Sequence, residues 1–129
     1  MPYEVGTSQP GLTAADGVFG RDPRTRYSPG EYAKTQAGTV VARGYARSFW
    51  TFDYLERANW DTYKTTYLGG EYSAATFIST RDDEDDFADY SVIAILPNPE
   101  TLERSVASGG VDVYLNVEIE FILIEDVTP

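Results

Sequence analysis

The stretch Val111-Asp-Val-Tyr-Leu-Asn-Val-Glu-Ile-Glu-Phe-Ile-Leu-Ile-Glu125 decides the fold. Every odd position from Val111 to Leu123 is apolar, while the even positions run Asp112, Tyr114, Asn116, Glu118 and Glu120 before changing to Ile122 and Ile124. Period-two alternation is the pattern of a half-buried strand. At ~3.3 Å per residue the stretch would span about 50 Å, beyond the usual strand of a small domain. Either the strand bends to serve two sheets, or its end is covered by something other than its own core. Val113, Leu115, Val117, Ile119 and Phe121 are expected to fill the sheet core, with Asp112, Asn116, Glu118 and Glu120 on a wet face. Ile122 and Ile124 then belong beneath a helix, an arm or an adjacent subunit.

Working back along the chain, Ser73-Ala-Ala-Thr-Phe-Ile-Ser-Thr-Arg81 and Phe87-Ala-Asp-Tyr-Ser-Val-Ile-Ala-Ile-Leu96 read as two strands joined through Asp82-Asp-Glu-Asp-Asp86, a hairpin with a charged tip. Pro97-Asn-Pro99 ends the second of them, and residues 100–110 read as a loop closing on Gly109-Gly110. Asp53-Tyr-Leu-Glu56 has the form of a capping box, and Trp60, Tyr63 and Tyr67 follow at helical spacing before Gly69-Gly70. The spacing predicts a helix over about 54–68 whose aromatic stripe is core. Before it, Thr39 to Phe52 is β-branched and aromatic without proline, hence strand, with Gly44 as a place to bend.

Residues 1–37 differ in texture, with turn signals such as Gln9-Pro-Gly11 and Ser28-Pro-Gly-Glu-Tyr32. They predict an extended N-terminal arm preceding a single β-rich domain over 38–129. Tyr3, Val5, Leu12, Val18, Phe19, Tyr27 and Tyr32 recur along the arm, so it is expected to lie on its own core or on a neighbouring subunit. The whole reads as mainly β with a minor α component: an antiparallel β-sandwich or half-barrel with one flanking helix.

Composition narrows the chemistry. The chain has 129 residues, 42% hydrophobic and 14% aromatic, enough for one core without disulfides. It contains no histidine and no cysteine, which excludes Ser-His-Asp and Cys-His catalysis and zinc sites with nitrogen or sulfur ligands. The net charge is -11, from 10 basic and 21 acidic residues, and repels a phosphate backbone. The first residues lack a secretory pattern, and no apolar run approaches the roughly 18 to 20 residues of a membrane span. A soluble chain without membrane anchor, made in the cytoplasm, is the expectation.

Three residue groups are candidates for chemistry. Asp82, Asp83, Glu84, Asp85 and Asp86 offer hard oxygen ligands to a cation, but without the alternation and glycine of an EF-hand loop. A solvated hairpin tip that blocks edge pairing explains them as well. Glu118 and Glu120 stand about 7 Å apart on one strand face, a separation any i, i+2 pair gives. Arg43 and Arg47 straddle Tyr45 on one face, as an interface ladder or an exposed strand face would. No catalytic residue, cofactor or specific metal is expected.

The succession Gly30-Glu-Tyr-Ala-Lys-Thr-Gln-Ala-Gly38, a strand through Phe49-Trp-Thr-Phe52, a helix closing on Gly69-Gly70, Ala75-Thr-Phe-Ile78 and a terminal Val117-Glu-Ile-Glu-Phe121 resembles the small minor tail proteins of long-tailed bacteriophages. Within that group it is similar to the distal tail ring proteins of lambda-like phages, the minor tail protein M type. The resemblance covers about residues 30 to 125. The longer arm, the acidic hairpin tip and the stronger negative charge depart from the pattern and leave open which ring is formed.

The resemblance implies a tail-tube-type fold, two packed sheets with a flanking helix, assembled as a homo-oligomeric ring, commonly a hexamer or trimer. The implied place is the virion tail, between the tail tube and the tip or baseplate proteins, lining a channel that passes DNA without binding it. Tyr3, Val5, Leu12, Val18, Phe19, Tyr27, Tyr32, Ile122 and Ile124 are then the expected neighbour contacts. A tail tube, tail terminator or head-to-tail connector subunit is the alternative within this class. A calcium- or carbohydrate-binding β-sandwich, or a hydrolase using Glu118 and Glu120, are alternatives of other classes.

Overall fold

The computed structural model describes residues 3–8, 11–28, 31–34, 40–43, 45–81, 84, 86–107 and 110–128, with 31–34, 40–43 and 107 as backbone. The alternating stretch forms one strand, β10 (Val111–Asp126). It serves two neighbours in succession on one side: β9 (Glu103–Ala107) pairs with Val111–Leu115, and β8 (Phe87–Ile95) pairs with Glu120–Asp126. On the other side β6 (Arg47–Glu56) runs along it from Val113 to Ile122. The unusual length is therefore used up within one sheet.

β7 (Ser73–Arg81) pairs with β8 from Ser73↔Ile95 to Arg81↔Phe87, the hairpin expected from the sequence. Adding β1 (Glu4–Gly6), β2 (Thr13–Ala14) and β3 (Arg24–Ser28) gives an antiparallel eight-stranded sheet in the order β2-β1-β7-β8-β10-β6-β3, with β9 beside β10. β4 (Glu31–Lys34) and β5 (Val40–Arg43) form a separate two-stranded sheet.

Buried hydrogen bonds show that the sheet curls. β6 and β7 are separated by β10 and β8, yet Trp50 Nε1 donates to Thr80 Oγ1 at 3.0 Å, and Ser48 Oγ lies 3.2 Å from the same oxygen. Near the two ends of the sheet, the Tyr3 hydroxyl is 2.7 Å from Thr25 Oγ1 of β3. The protein is a mainly β, curled antiparallel half-barrel with one flanking helical segment. Its concave face holds the core: Trp50, Phe52, Ile78, Val92, Val117, Ile119 and Phe121 are all at most 1% exposed. Trp50 meets Phe121 edge-on at 4.8 Å, and Phe19 packs on Phe52 at the same distance.

The core changes side within two paired strands. On β6 it is carried by Ser48, Trp50 and Phe52, then by Leu55; on β10 by Phe121, Ile119 and Val117, then by Tyr114. Both changes fall at the level of Asn116, whose φ of 52° is left-handed, a conformation asparagine tolerates better than other side-chain-bearing residues. Tyr114, at an even position of the stretch, is consequently buried against Trp60, 5.4 Å between centroids. Leu115, expected in the core, is only half-buried.

The helix begins later than its sequence suggests. Asp53–Glu56 belong to β6, where Leu55 and Glu56 pair with Tyr114 and Val113, so ladder hydrogen bonds displace the capping box. α2 spans Arg57–Thr62, with Glu56 at the N-cap making no side-chain cap bond, and continues as a π-helical turn over Tyr63–Tyr67. Gly69 and Gly70, at φ 64° and 85°, end it, and Gly70 N–H donates to the Lys64 carbonyl. Trp60 and Tyr63 are buried, and Tyr67 stacks on Tyr63 at 5.2 Å, so the stripe is core.

Two other stretches are more ordered than their punctuation suggested. The expected loop over 100–110 contains a 3-10 turn (Pro99–Thr101), capped by Asn98 Oδ1 accepting from Glu100 N–H, and then β9. The N-terminal segment supplies β1, β2 and β3 and a short helix, α1 (Ala15–Phe19), that buries Ala15, Val18 and Phe19. The strand expected over 39–52 is divided into β5 and β6, with Gly44 itself outside the described residues.

Two measurements check this core. Thr80→Val keeps the shape but strands the indole N–H of Trp50, so urea unfolding is expected to show a loss of about 1–3 kcal/mol. The Tyr63 hydroxyl is buried without a hydrogen-bond partner, and burial, with Tyr67 beside it, pushes its ionisation well above the ordinary 10.0. Its neutral form is thus favoured by folding, so this contribution is complete below pH 10 and lost as pH rises further. Tyr63→Phe is expected to leave neutral-pH stability unchanged or raised by about 1 kcal/mol, and to flatten the alkaline fall seen by circular dichroism.

Candidate interaction surface

The face of the sheet turned away from the core follows from the registers. Ile122 pairs with Ile93, which pairs with Ala75; Glu120 pairs with Ile95 on one side and Phe49 on the other; Phe77 pairs with Ser91. These residues alternate with buried Thr76, Ile78, Val92, Ala94, Phe121 and Trp50, so they share the convex face. Phe49, Phe77, Ile93, Ile95 and Ile122 are half-buried and stand outside the core cluster, with the Arg26 guanidinium 4.2 Å over the Phe49 ring. A bulge between Leu123 and Glu125 adds Ile124, 38% exposed, beside them. The result is an apolar patch across β6, β10, β8 and β7.

Acidic and basic groups edge the patch. Arg47 Nη1 donates to Glu120 Oε1 at 2.8 Å, Thr51 Oγ1 lies 3.4 Å from Glu118 Oε2, and Arg24 pairs with Asp53 at 2.6 Å. Glu118 and Glu120 thus sit in a polar row of an outer sheet face, engaged with Thr51 and Arg47 rather than flanking a cleft. Tyr45 is exposed; the side chain of Arg43 lies outside the described residues.

The other expected sites resolve unevenly. Val5, Val18 and Phe19 are inside this chain's own core and cannot meet a neighbour without unfolding. Tyr3 and Tyr27 are half-buried and pack against that core, and Leu12 is half-buried. The Tyr32 side chain and Asp82, Asp83 and Asp85 lie outside the described residues, while Glu84 and Asp86 are exposed. Among the described residues no group of three acidic side chains is placed to hold a metal ion. Ile122 is half-buried and Ile124 exposed, and both belong to the convex patch. Phe49, Phe77, Ile93 and Ile95 were not singled out from sequence, although Val92-Ile-Ala-Ile-Leu96 carries the same two-sided apolar signal as Ile122.

A separate cleft of about 260 Å3 opens between α2 and the β9–β10 hairpin, lined by Arg57, Arg104, Ser105, Val106, Asp112, Val113 and Tyr114. The Arg104 guanidinium lies 5.6 Å from the Tyr114 ring centroid, and Arg57 reaches Asp61 at 3.9 Å. Two guanidinium groups beside an aromatic wall suit holding a charged side chain and supply no activated nucleophile. Among the described residues no helix is long and apolar enough to cross a membrane.

The two faces of β10 make opposite demands on stability. Ile119→Ala empties core volume and is expected to cost about 2–5 kcal/mol in urea unfolding. Ile122→Ala, on the convex patch, is expected to cost about 1 kcal/mol or less in the dilute chain, since its surroundings are partly solvated already. Equal losses at the two positions would mean that the convex face is a second core. No protein-family model, curated protein or solved structure matches this chain.

Proposed function

We propose that the chain is a structural subunit of a bacteriophage tail, assembling as a ring at the distal end of the tail tube, at its junction with the tip or baseplate. The observation that carries this reading is the apolar convex patch on a sheet whose concave face already holds a complete core. Contiguous apolar surface of this kind marks a protein contact. The sequence resemblance to minor tail proteins says which contact to expect, that with further copies and with neighbouring tail proteins. A tail tube, terminator or connector subunit would use the same patch in a different ring.

The charge of -11 supports a lumen-lining role, because an acidic wall lets a nucleic acid pass without counterion-release binding.

Negative-stain imaging and sedimentation of the purified chain test the reading. The expected result is annular particles with an open channel at high protein concentration, and no retention of duplex DNA even at low salt. A monomer that neither self-associates nor joins tail-tube or tip proteins, or tight low-salt DNA binding, would overturn it.

A further inference from the structure

The cleft between α2 and the β9–β10 hairpin has a rigid apolar floor and a cationic rim. The floor is β10, where Val113 and Tyr114 are each 4% exposed. Tyr114 is held by Trp60, edge-on at 5.4 Å, so this wall is part of the core and keeps its position without a ligand. The antiparallel register sets Arg104 of β9 opposite Tyr114. On the other side of β10, Glu56 pairs with Val113, and Arg57, the first residue of α2, follows it directly. Two arginines from opposite sides of β10 thus line one cavity of about 260 Å3.

Neither guanidinium is used up within the chain. Arg104 is exposed, with the Tyr114 ring centroid at 5.6 Å, and among the described residues no carboxylate lies within ion-pair distance of it. Arg57 approaches Asp61 only to 3.9 Å, with both side chains exposed, a pair that contributes little. Asp112 lines the cleft opposite Val106 and forms no ion pair with either arginine. In a chain with 21 acidic residues to 10 basic ones, two arginines left facing a cavity run against the general excess of acid.

A guanidinium is a planar fork of N–H donors that meets a carboxylate bidentately. Pockets for drug-sized ligands run to about 300–1,000 Å3, so this cavity suits something smaller, an aryl acid or a single amino-acid side chain. We propose that the cleft is a carboxylate-binding site, with Arg104 and Arg57 on the carboxylate and Tyr114 and Val113 against an apolar stem. Asp112 restricts the site to one singly charged group, because the further charge of a phosphate would be brought against it. The acid is a free small molecule or a glutamate side chain of another protein, which present the same group. The cleft is separate from the convex patch, and the proposal stands whether or not the chain forms a ring.

Isothermal titration calorimetry of the full chain tests it, with circular dichroism as the folding control. The probes are phenylacetate, a terminally blocked tripeptide with glutamate between two valines, and inorganic phosphate. Saturable binding of at least one carboxylate is expected, with phosphate about tenfold weaker or more. The tighter of phenylacetate and peptide identifies the source of the acid. Arg104→Ala should weaken carboxylate binding about tenfold or more, and Arg104→Lys nearly as much, since it keeps the charge and loses the fork. Arg57→Ala tests the other side of the rim and should give a loss of the same kind. Asp112→Asn should tighten binding about two- to fivefold by removing a like charge. No saturable heat with either carboxylate, phosphate bound as tightly as the carboxylates, or binding that both arginine-to-alanine variants leave unchanged overturns the site.

Discussion

The hydrogen bond from the Trp50 indole to Thr80 is the interaction on which the architecture turns. It joins strands that are not neighbours in the sheet, and it can form only if the sheet curls until β6 and β7 face one another. Once the curl is made, the concave side closes around Trp50, Phe52, Phe121 and Phe19, and Tyr3 reaches Thr25 near the opposite ends of the sheet. The curl buries the Trp50 N–H and the Ser48 hydroxyl and at the same time brings Thr80 to them, which avoids a cost of about 1–3 kcal/mol for each group left buried without a partner. The buried polar trio is thus satisfied in the curled sheet.

Curvature gives the two faces different fates. The inner face is consumed by the core, whereas the outer face is wide, convex and still apolar along β7, β8 and the second half of β10. The change from Glu120 to Ile122 marks where the outer face turns from polar to apolar, in register with Ile93. The core inside is built without this surface. The proposed role as a subunit of a larger assembly rests on this face, where contiguous apolar surface marks a protein contact.

Much of this was legible in the sequence, for reasons that differ by element. β7, β8 and β10 were readable because long period-two runs bounded by acids, prolines and glycines admit one interpretation. The helix was half-legible: its aromatic stripe and Gly69-Gly70 stop were visible, but its start was displaced because pairing of Leu55 with Tyr114 outweighs a local capping box. The N-terminal segment resisted reading because its strands are two to five residues long and gain their order from partners tens of residues away. The face switch at Asn116 was invisible, since a single left-handed residue leaves the alternation unchanged while rotating the rest of the strand about its axis. The convex patch was half-read, through Ile122 and Ile124, because a strand apolar at both parities says that two faces are covered without saying by what.

Sedimentation velocity of the concentrated chain, with and without Ile93→Lys, tests the proposal that the apolar convex face is covered by another subunit. The account predicts association of the unaltered chain that Ile93→Lys abolishes while circular dichroism is unchanged, and association that ignores the substitution would contradict it.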